Sequence, residues 1–293
     1  MINVSPSIFD RAVRSYGKFF QELSGIDSVK CAQDVLNEEK VHDQMDLFCK
    51  TISLDKCLLE GKTLLEVGSG FGIFVAVTRR DYRMESYGIE PASEGFDTSY
   101  SICRDVLTCY DLNPDIVRDA KGENLPFDSN SIDFIFSSSV LEHVQDPERV
   151  LKEAVRVLKP GGYLQFVIPN YAAVFDGHYG IPWIPYMGRR LGKIWVRLHG
   201  RDPHFVDTLQ FTNYFKVRRW VRKMSDVEVI TYGEGIFRER MLNIRIKEWA
   251  CLGKVKRWLT IADRLRLVPF ITWLFLIIKS FDPIVLTLRK RVL

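Results

Sequence analysis

The stretch LLEVGSGFG, residues 64–72, constrains this chain more than any other. A short apolar run ends at Glu66-Val67, and the chain then turns on Gly68, Gly70 and Gly72. Glycine suits such a turn because it tolerates positive φ and lets a ligand come close to the backbone. The spacing is G-x-G-x-G with an acid in front, whereas a dinucleotide-binding loop reads G-x-G-x-x-G. A carboxylate beside the loop repels a pyrophosphate and attracts a cationic or amino-bearing ligand. A nicotinamide dehydrogenase is therefore the least favoured reading.

The residues around the loop alternate short apolar runs with amphipathic stretches. Thr63–Val67, Ser86–Ile89, Ile132–Ser137 and Tyr163–Ile168 read as buried strands, and Phe74–Arg80 and Pro147–Leu158 as helices between them. That order predicts a Rossmann-like, doubly wound, mostly parallel α/β sheet. Glu90 closes the second strand, where a carboxylate can accept hydrogen bonds from both hydroxyls of a ribose. Asp119-Ala120 follows the third candidate strand, where an acid can receive an adenine amino group. Either acid alone reads equally well as a solvated loop residue; the set, placed where the loop predicts it, does not.

These residues resemble the class I S-adenosylmethionine-dependent methyltransferases, in particular the large bacterial type 11 group with a ubiquinone-methyltransferase-like core. The matching segments are LLEVGSGFG, GIEPA and DAKGENLPFDSNSIDFIFSSSVLEHVQDPERVLKEAVRVLKPGGYL, within residues 60–168. The resemblance implies S-adenosyl-L-methionine as cofactor. Glu66, Gly68 and Gly70 would hold its methionine moiety, Glu90 its ribose, and Asp119 with Ala120 its adenine. Ser137 and Ser138 would lie beside the methyl group. Two departures stand out: the family often has Asp where Glu90 stands, and Gly where Arg118 stands. Because the sulfonium carries its own activated methyl group, the protein mainly aligns a nucleophile and excludes water. A base is needed only where the acceptor is a hydroxyl or a carbon that must lose a proton. His178, among Tyr179, Trp183 and Tyr186, and His143, in LEHV, are the two candidates, with capping or packing the plainer reading of His143.

The rest of the chain divides into an N-terminal helical cap (1–60), a substrate-side insertion with the last sheet strands (169–242), and a basic, apolar helical tail (243–293), around the core of 61–168. Phe211–Met224 reads as a basic helix and Asp226–Tyr232 as a strand. Arg189–Leu293 carries a net +14 and the preceding residues −10, so the C-terminal third faces something anionic. A basic amphipathic helix over 252–266 and the apolar run 267–278 point to an anionic membrane surface. Twelve residues of helix span roughly 18 Å, short of a bilayer core of roughly 30 Å. A homodimer interface or ordinary packing would also use such faces. Nucleic acid ranks low, since large apolar stripes accompany the basic residues.

The six cysteines form no C-x-x-C pair and have no histidine at zinc-ligand spacing, so free thiols, no metal and a cytoplasmic protein are expected. The combined expectation is a peripheral-membrane methyltransferase, on the inner face of the cytoplasmic membrane, acting by O-methylation on a lipid-linked acceptor. A quinone precursor, a glycolipid or a polyprenyl-linked saccharide would serve. The alternatives are a methyltransferase for a soluble small molecule or saccharide, and a non-catalytic scaffold that keeps the fold.

Overall fold

A computed structural model describes residues 4–92, 97–243, 261, 262 and 264–292. Its sheet holds β1 (Thr63–Val67), β2 (Glu85–Ile89), β3 (Val117–Arg118), β4 (Ile132–Ser138), β5 (Leu158–Ile168), β8 (Val227–Thr231) and β9 (Ile284–Lys290). Their spatial order is β3-β2-β1-β4-β5-β9-β8. The first five run parallel, while β9 is antiparallel to both β5 and β8. The order reverses direction between β1 and β4, and the carboxyl ends of these strands carry the glycine loop. β6 (Phe175–Asp176) and β7 (Ile181–Pro182) pair separately in the insertion.

Strand side chains alternate between faces, which sorts the sheet's residues into two cores. Leu65, Val67, Ile135, Leu164 and Phe166 pack with α7 (Pro147–Val157), α9 (Tyr214–Val221) and α10 (Glu234–Leu242). Leu64, Phe134 and Phe136 pack with α4 (Glu38–Ile52), α5 (Ile73–Tyr82) and α6 (Asp97–Cys109). Local chemistry sets the helix starts: the Asp146 side chain accepts from Arg149 N ahead of Pro147, and Asn213 does the same for Lys216 N. In front of the core, α1 (Pro6–Ala12), α2 (Lys18–Ser24) and α3 (Ser28–Val35) form the cap. A third core joins Leu23 of α2 to Tyr171, Tyr179, Trp183 and Val196, the last from α8 (Arg189–Leu198). The chain from Tyr171 to α8 thus packs on α2. Cys49, Cys57, Cys103 and Cys109 are free thiols.

The tail differs from the sequence expectation. The apolar run does form a helix, α11 (Val268–Ile277), but the chain after it is a strand. β9 lies inside the sheet, between β5 and β8, with Ile284, Val285, Leu286, Thr287 and Leu288 all buried. A strand covered on both faces loses the polar alternation that marks strands, so it reads as a continuation of the apolar helix before it. Of the basic helix expected over 252–266, residues 252–260 and 263 lie outside the described residues.

Lys290 explains how a charged residue ends this strand. Its Nζ donates to Asn130 Oδ1 at 2.8 Å and to the carbonyls of Val155, Arg156 and Leu158 at 2.7, 3.3 and 2.9 Å. Two of those carbonyls belong to the last turn of α7, where the helix has no partners of its own for them. Lys290→Met should cost about 2 kcal/mol through the bonds lost at the Val155 and Leu158 carbonyls, while Arg156 O keeps Asn130 N as a donor. A Tm unchanged in thermal denaturation would contradict that role.

Candidate active site

The glycine loop is hooked to the end of β2. Gly68 N and Ser69 N both donate to Ile89 O, at 3.0 and 2.9 Å, and Gly70 N donates to the Glu90 carboxylate at 2.9 Å. Gly68 (φ 79°), Gly70 (φ 51°) and Gly72 (φ 78°) all occupy the left-handed region. A Cβ on Gly68 would stand 2.3 Å from Val140 Cγ2, whereas one on Gly70 would meet nothing within 4 Å. Gly68 therefore fixes the loop against the chain that follows β4, and Gly70 leaves its backbone open to a ligand.

Two buried acids flank this opening. One Glu66 carboxylate oxygen has no hydrogen-bond partner. Burial, with the Glu90 charge adding to it, holds Glu66 well above the usual carboxylate range. Burial also lifts Glu90 to about 7 against the stabilising Gly70 N–H. Two desolvated carboxylates side by side are costly unless a cationic or hydrogen-bond-donating ligand restores what water supplied. Asp119 Oδ1 accepts from Ala92 N at 2.8 Å, joining the ends of β2 and β3, and Ala120 packs against the core beside it. The Ser137 hydroxyl donates to Val67 O at 2.8 Å and ties β4 to β1. Ser138 stands half-buried at the tip of β4. Glu66, Gly68, Gly70, Glu90 and Ser137 thus lie at the joined ends of β1, β2 and β4, and Asp119 is tied to the end of β2.

The loops after β4 and β5 bring the two candidate histidines together, with ring centroids 5.4 Å apart. Between them lies Glu142, fully buried, with neither carboxylate oxygen hydrogen-bonded. Its Oε1 is 3.8 Å from His143 Nε2 and 3.8 Å from His178 Nε2. On its other side, His178 Nδ1 lies 3.3 Å from the Tyr171 hydroxyl and 3.8 Å from Asp176 Oδ2. Burial raises Glu142 to about 7, while burial and the neighbouring His178 lower His143 to about 3. Burial opposes a charge on His178 too, but Asp176, Glu142 and Asp282 outweigh it and lift its pKa.

Distant segments close this end of the sheet. Phe205 packs against both histidines and against Phe19 of α2, and Tyr16 meets Phe71 of the glycine loop. The tail underpins the loop carrying His178: Asn170 N donates to Asp282 at 2.8 Å, and the Tyr186 hydroxyl to Ile278 O at 2.6 Å. Sequence reasoning passed over Glu142, although it adjoins His143 in LEHV. Asp176 and Tyr171 lacked any motif, and Asp282 sits too far along the chain for spacing to reveal it.

Residues 65–166 match the family model of the methyltransferase domain. An uncharacterized methyltransferase of Mycobacterium sp. (strain KMS) is 35% identical over 144 residues, covering 49% of this chain and 53% of the relative. Another, from Mycobacteroides abscessus, is 30% identical over 168 residues, covering 57% and 62%. The chain thus matches little more than half the length of these curated relatives. Among solved structures, the [4+2]-cyclase SpnF aligns over 99% of this chain and 98% of its own, with a TM-score of 0.50 and 16% identity. That likeness is one of fold, and fold alone does not fix chemistry.

Proposed function

We propose that this chain, built on a class I S-adenosylmethionine-dependent methyltransferase core in residues 65–166, methylates a hydroxyl of a lipid-linked acceptor at a membrane surface. The observation that carries the methyltransferase reading is the pair of buried acids at the glycine loop, one with an orphaned oxygen. The cofactor fits that need with its amino group, its ribose hydroxyls and its positive sulfonium. Glu66, Gly68 and Gly70 hold the methionine moiety, Glu90 takes the ribose, and Asp119 with Ala120 frames the adenine. When bound, S-adenosylmethionine supplies an activated methyl group. The chain's own task is then to orient the acceptor, exclude water and prepare the oxygen. In this reading Tyr16 and Phe71 shield the glycine loop, Phe205 covers the histidines, and Glu142, His143 and His178 face the acceptor and activate its hydroxyl.

The lipid-linked acceptor is supported by an unusual surface. On α11, Phe270, Trp273 and Ile277 are 59%, 55% and 56% exposed at three- and four-residue spacing. On α8, Leu191, Ile194 and Leu198 are likewise exposed, with the exposed Arg190 and Arg197 beside them in the chain. Tyr186, bonded to Ile278 O and three residues ahead of α8, links the two. Apolar rows interleaved with cations suit an anionic headgroup layer. No helix among the described residues is long and apolar enough to cross a membrane.

Two measurements test this reading. Methyl transfer from isotope-labelled S-adenosylmethionine into a cell extract, followed by organic–aqueous partition, should place label in the organic phase. Label in the aqueous phase alone would overturn the lipid acceptor, and label in neither would overturn the enzyme. Flotation with phosphatidylglycerol-rich vesicles should retain the protein, and Trp273→Ser should weaken binding about tenfold, from one large side chain withdrawn from the interface. Equal flotation of both proteins would remove the membrane surface from the proposal.

A further inference from the structure

We infer that Glu142, His143 and His178 form a binding site for one divalent transition-metal cation, of the zinc type, where the loops after β4 and β5 meet. The three ligand atoms lie within 4.8 Å of one another. They are drawn from two loops, which is why linear spacing gave no metal signal. Two histidine nitrogens with one carboxylate are a donor set of catalytic zinc and related sites, in which a fourth position stays open.

The separations themselves argue for a shared cation. At 3.8 Å, Glu142 Oε1 is too far from either Nε2 for a hydrogen bond, which closes to roughly 2.7–3.2 Å. Edges of 3.8, 3.8 and at most 4.8 Å put a central ion within about 2.5 Å of each donor, a few tenths beyond zinc's usual bonds of roughly 2.0–2.2 Å. A small contraction closes the site. Both Glu142 oxygens are buried without a hydrogen-bond partner, so the carboxylate is left for something absent from the protein's own bonding.

The surroundings have the form that supports a metal-bound imidazole. Such a histidine turns its second nitrogen to a carboxylate or another fixed polar group, which sets tautomer and orientation. His178 Nδ1 faces Tyr171 and Asp176. Asp176 is itself fixed, its Oδ1 accepting from Tyr179 N at 2.8 Å. The Glu142 backbone is pinned as well, its carbonyl accepting from Gln210 N at 2.7 Å.

The role of the ion, though not its binding, rests on the methyl-transfer reading above. In the open position the cation takes the acceptor hydroxyl as a ligand and lowers its pKa. The oxygen–hydrogen bond breaks, the proton leaves to solvent past the partly exposed histidine rings, and the electron pair stays on the metal-bound oxygen. His178 in this state is a ligand and not a free base.

The test uses the full chain, stripped with a chelator and titrated with Co2+ alone. One equivalent should produce visible d–d absorption without a thiolate charge-transfer band, and Zn2+ should displace it. Glu142→Gln and His178→Asn should each weaken Co2+ binding at least tenfold, and Asp176→Asn, acting through His178, should weaken it more modestly. Affinity for S-adenosylmethionine, measured on the same variants, should stay within about threefold and so report that they fold. Absence of the d–d spectrum, a thiolate band, or equal titration in Glu142→Gln and His178→Asn would overturn the site. Co2+ binding without cofactor binding would leave the site standing and remove the methyltransferase reading instead.

Discussion

Glu90→Ala should lose at least about 100-fold in affinity for S-adenosylmethionine while the apo protein stays folded. Two hydrogen bonds from ribose hydroxyls to a charged acceptor are worth about 1.5–3 kcal/mol each, and 1.4 kcal/mol is tenfold in affinity. The substitution also frees Gly70 N from its 2.9 Å bond to the carboxylate, loosening the loop it organises. Glu90→Gln keeps an acceptor for Gly70 N but offers the ribose one carbonyl oxygen in place of a carboxylate, so its loss should be smaller.

The raised pKa of Glu90 gives the same prediction a pH signature. In the apo protein the carboxyl titrates near 7, above its unfolded value of 4.5. The folded state therefore binds the extra proton between those values, and the stability tied to it, full below about pH 4.5, is lost as pH rises through 7. Glu90→Gln should flatten that part of the profile and leave the apo protein more stable than wild type at pH 8. Cofactor binding favours the ionised acid, so affinity should rise with pH up to about 7 in wild type and not in Glu90→Gln. Calorimetric titrations from pH 6 to 8 would show it; the same slope in both proteins would exclude Glu90 as its source.

Gly68→Ala should reduce methyl transfer at least 100-fold and lower Tm by several degrees. The backbone at φ 79° disfavours any side chain, and the new Cβ would press to 2.3 Å from Val140 Cγ2. Overpacking of this kind costs about 1–3 kcal/mol. The functional loss is larger because Val140 leads directly into Glu142 and His143, and a misplacement of about 1 Å at reacting groups costs about 100-fold. Adding Val140→Ala removes the contact but not the backbone strain. The double variant should therefore regain part of the Tm in thermal denaturation. A Gly68→Ala protein with near-normal activity would show that the two loops are not coupled through this contact.

The glycine-loop half of the candidate site was legible because its determinants are local. Glycines at 68, 70 and 72 must follow a strand directly, Glu90 must end the next strand, and Asp119 the one after. Each position follows from strand length and the rule that ligands bind at carboxyl ends. The histidine half of the candidate site was legible only as two isolated residues. Their conjunction with Glu142 depends on how the loops after β4 and β5 fold toward one another. Those loops are held by Phe205, by Gln210 and by Asp282 from beyond α11, none of which carries a local motif.

By itself, the sequence determined the parallel core, its glycine loop and the acids that face it, since periodicity and turn chemistry act over a few residues. Only the tertiary structure decided that Ile284–Lys290 enters the sheet as a strand. It alone also placed Glu142 between His143 and His178, and left apolar rows of α8 and α11 facing outward. Burial on both faces erases the alternation that identifies a strand. Contacts between loops far apart in the chain have no period at all, and whether an apolar helix face is covered depends on what the rest of the fold brings against it.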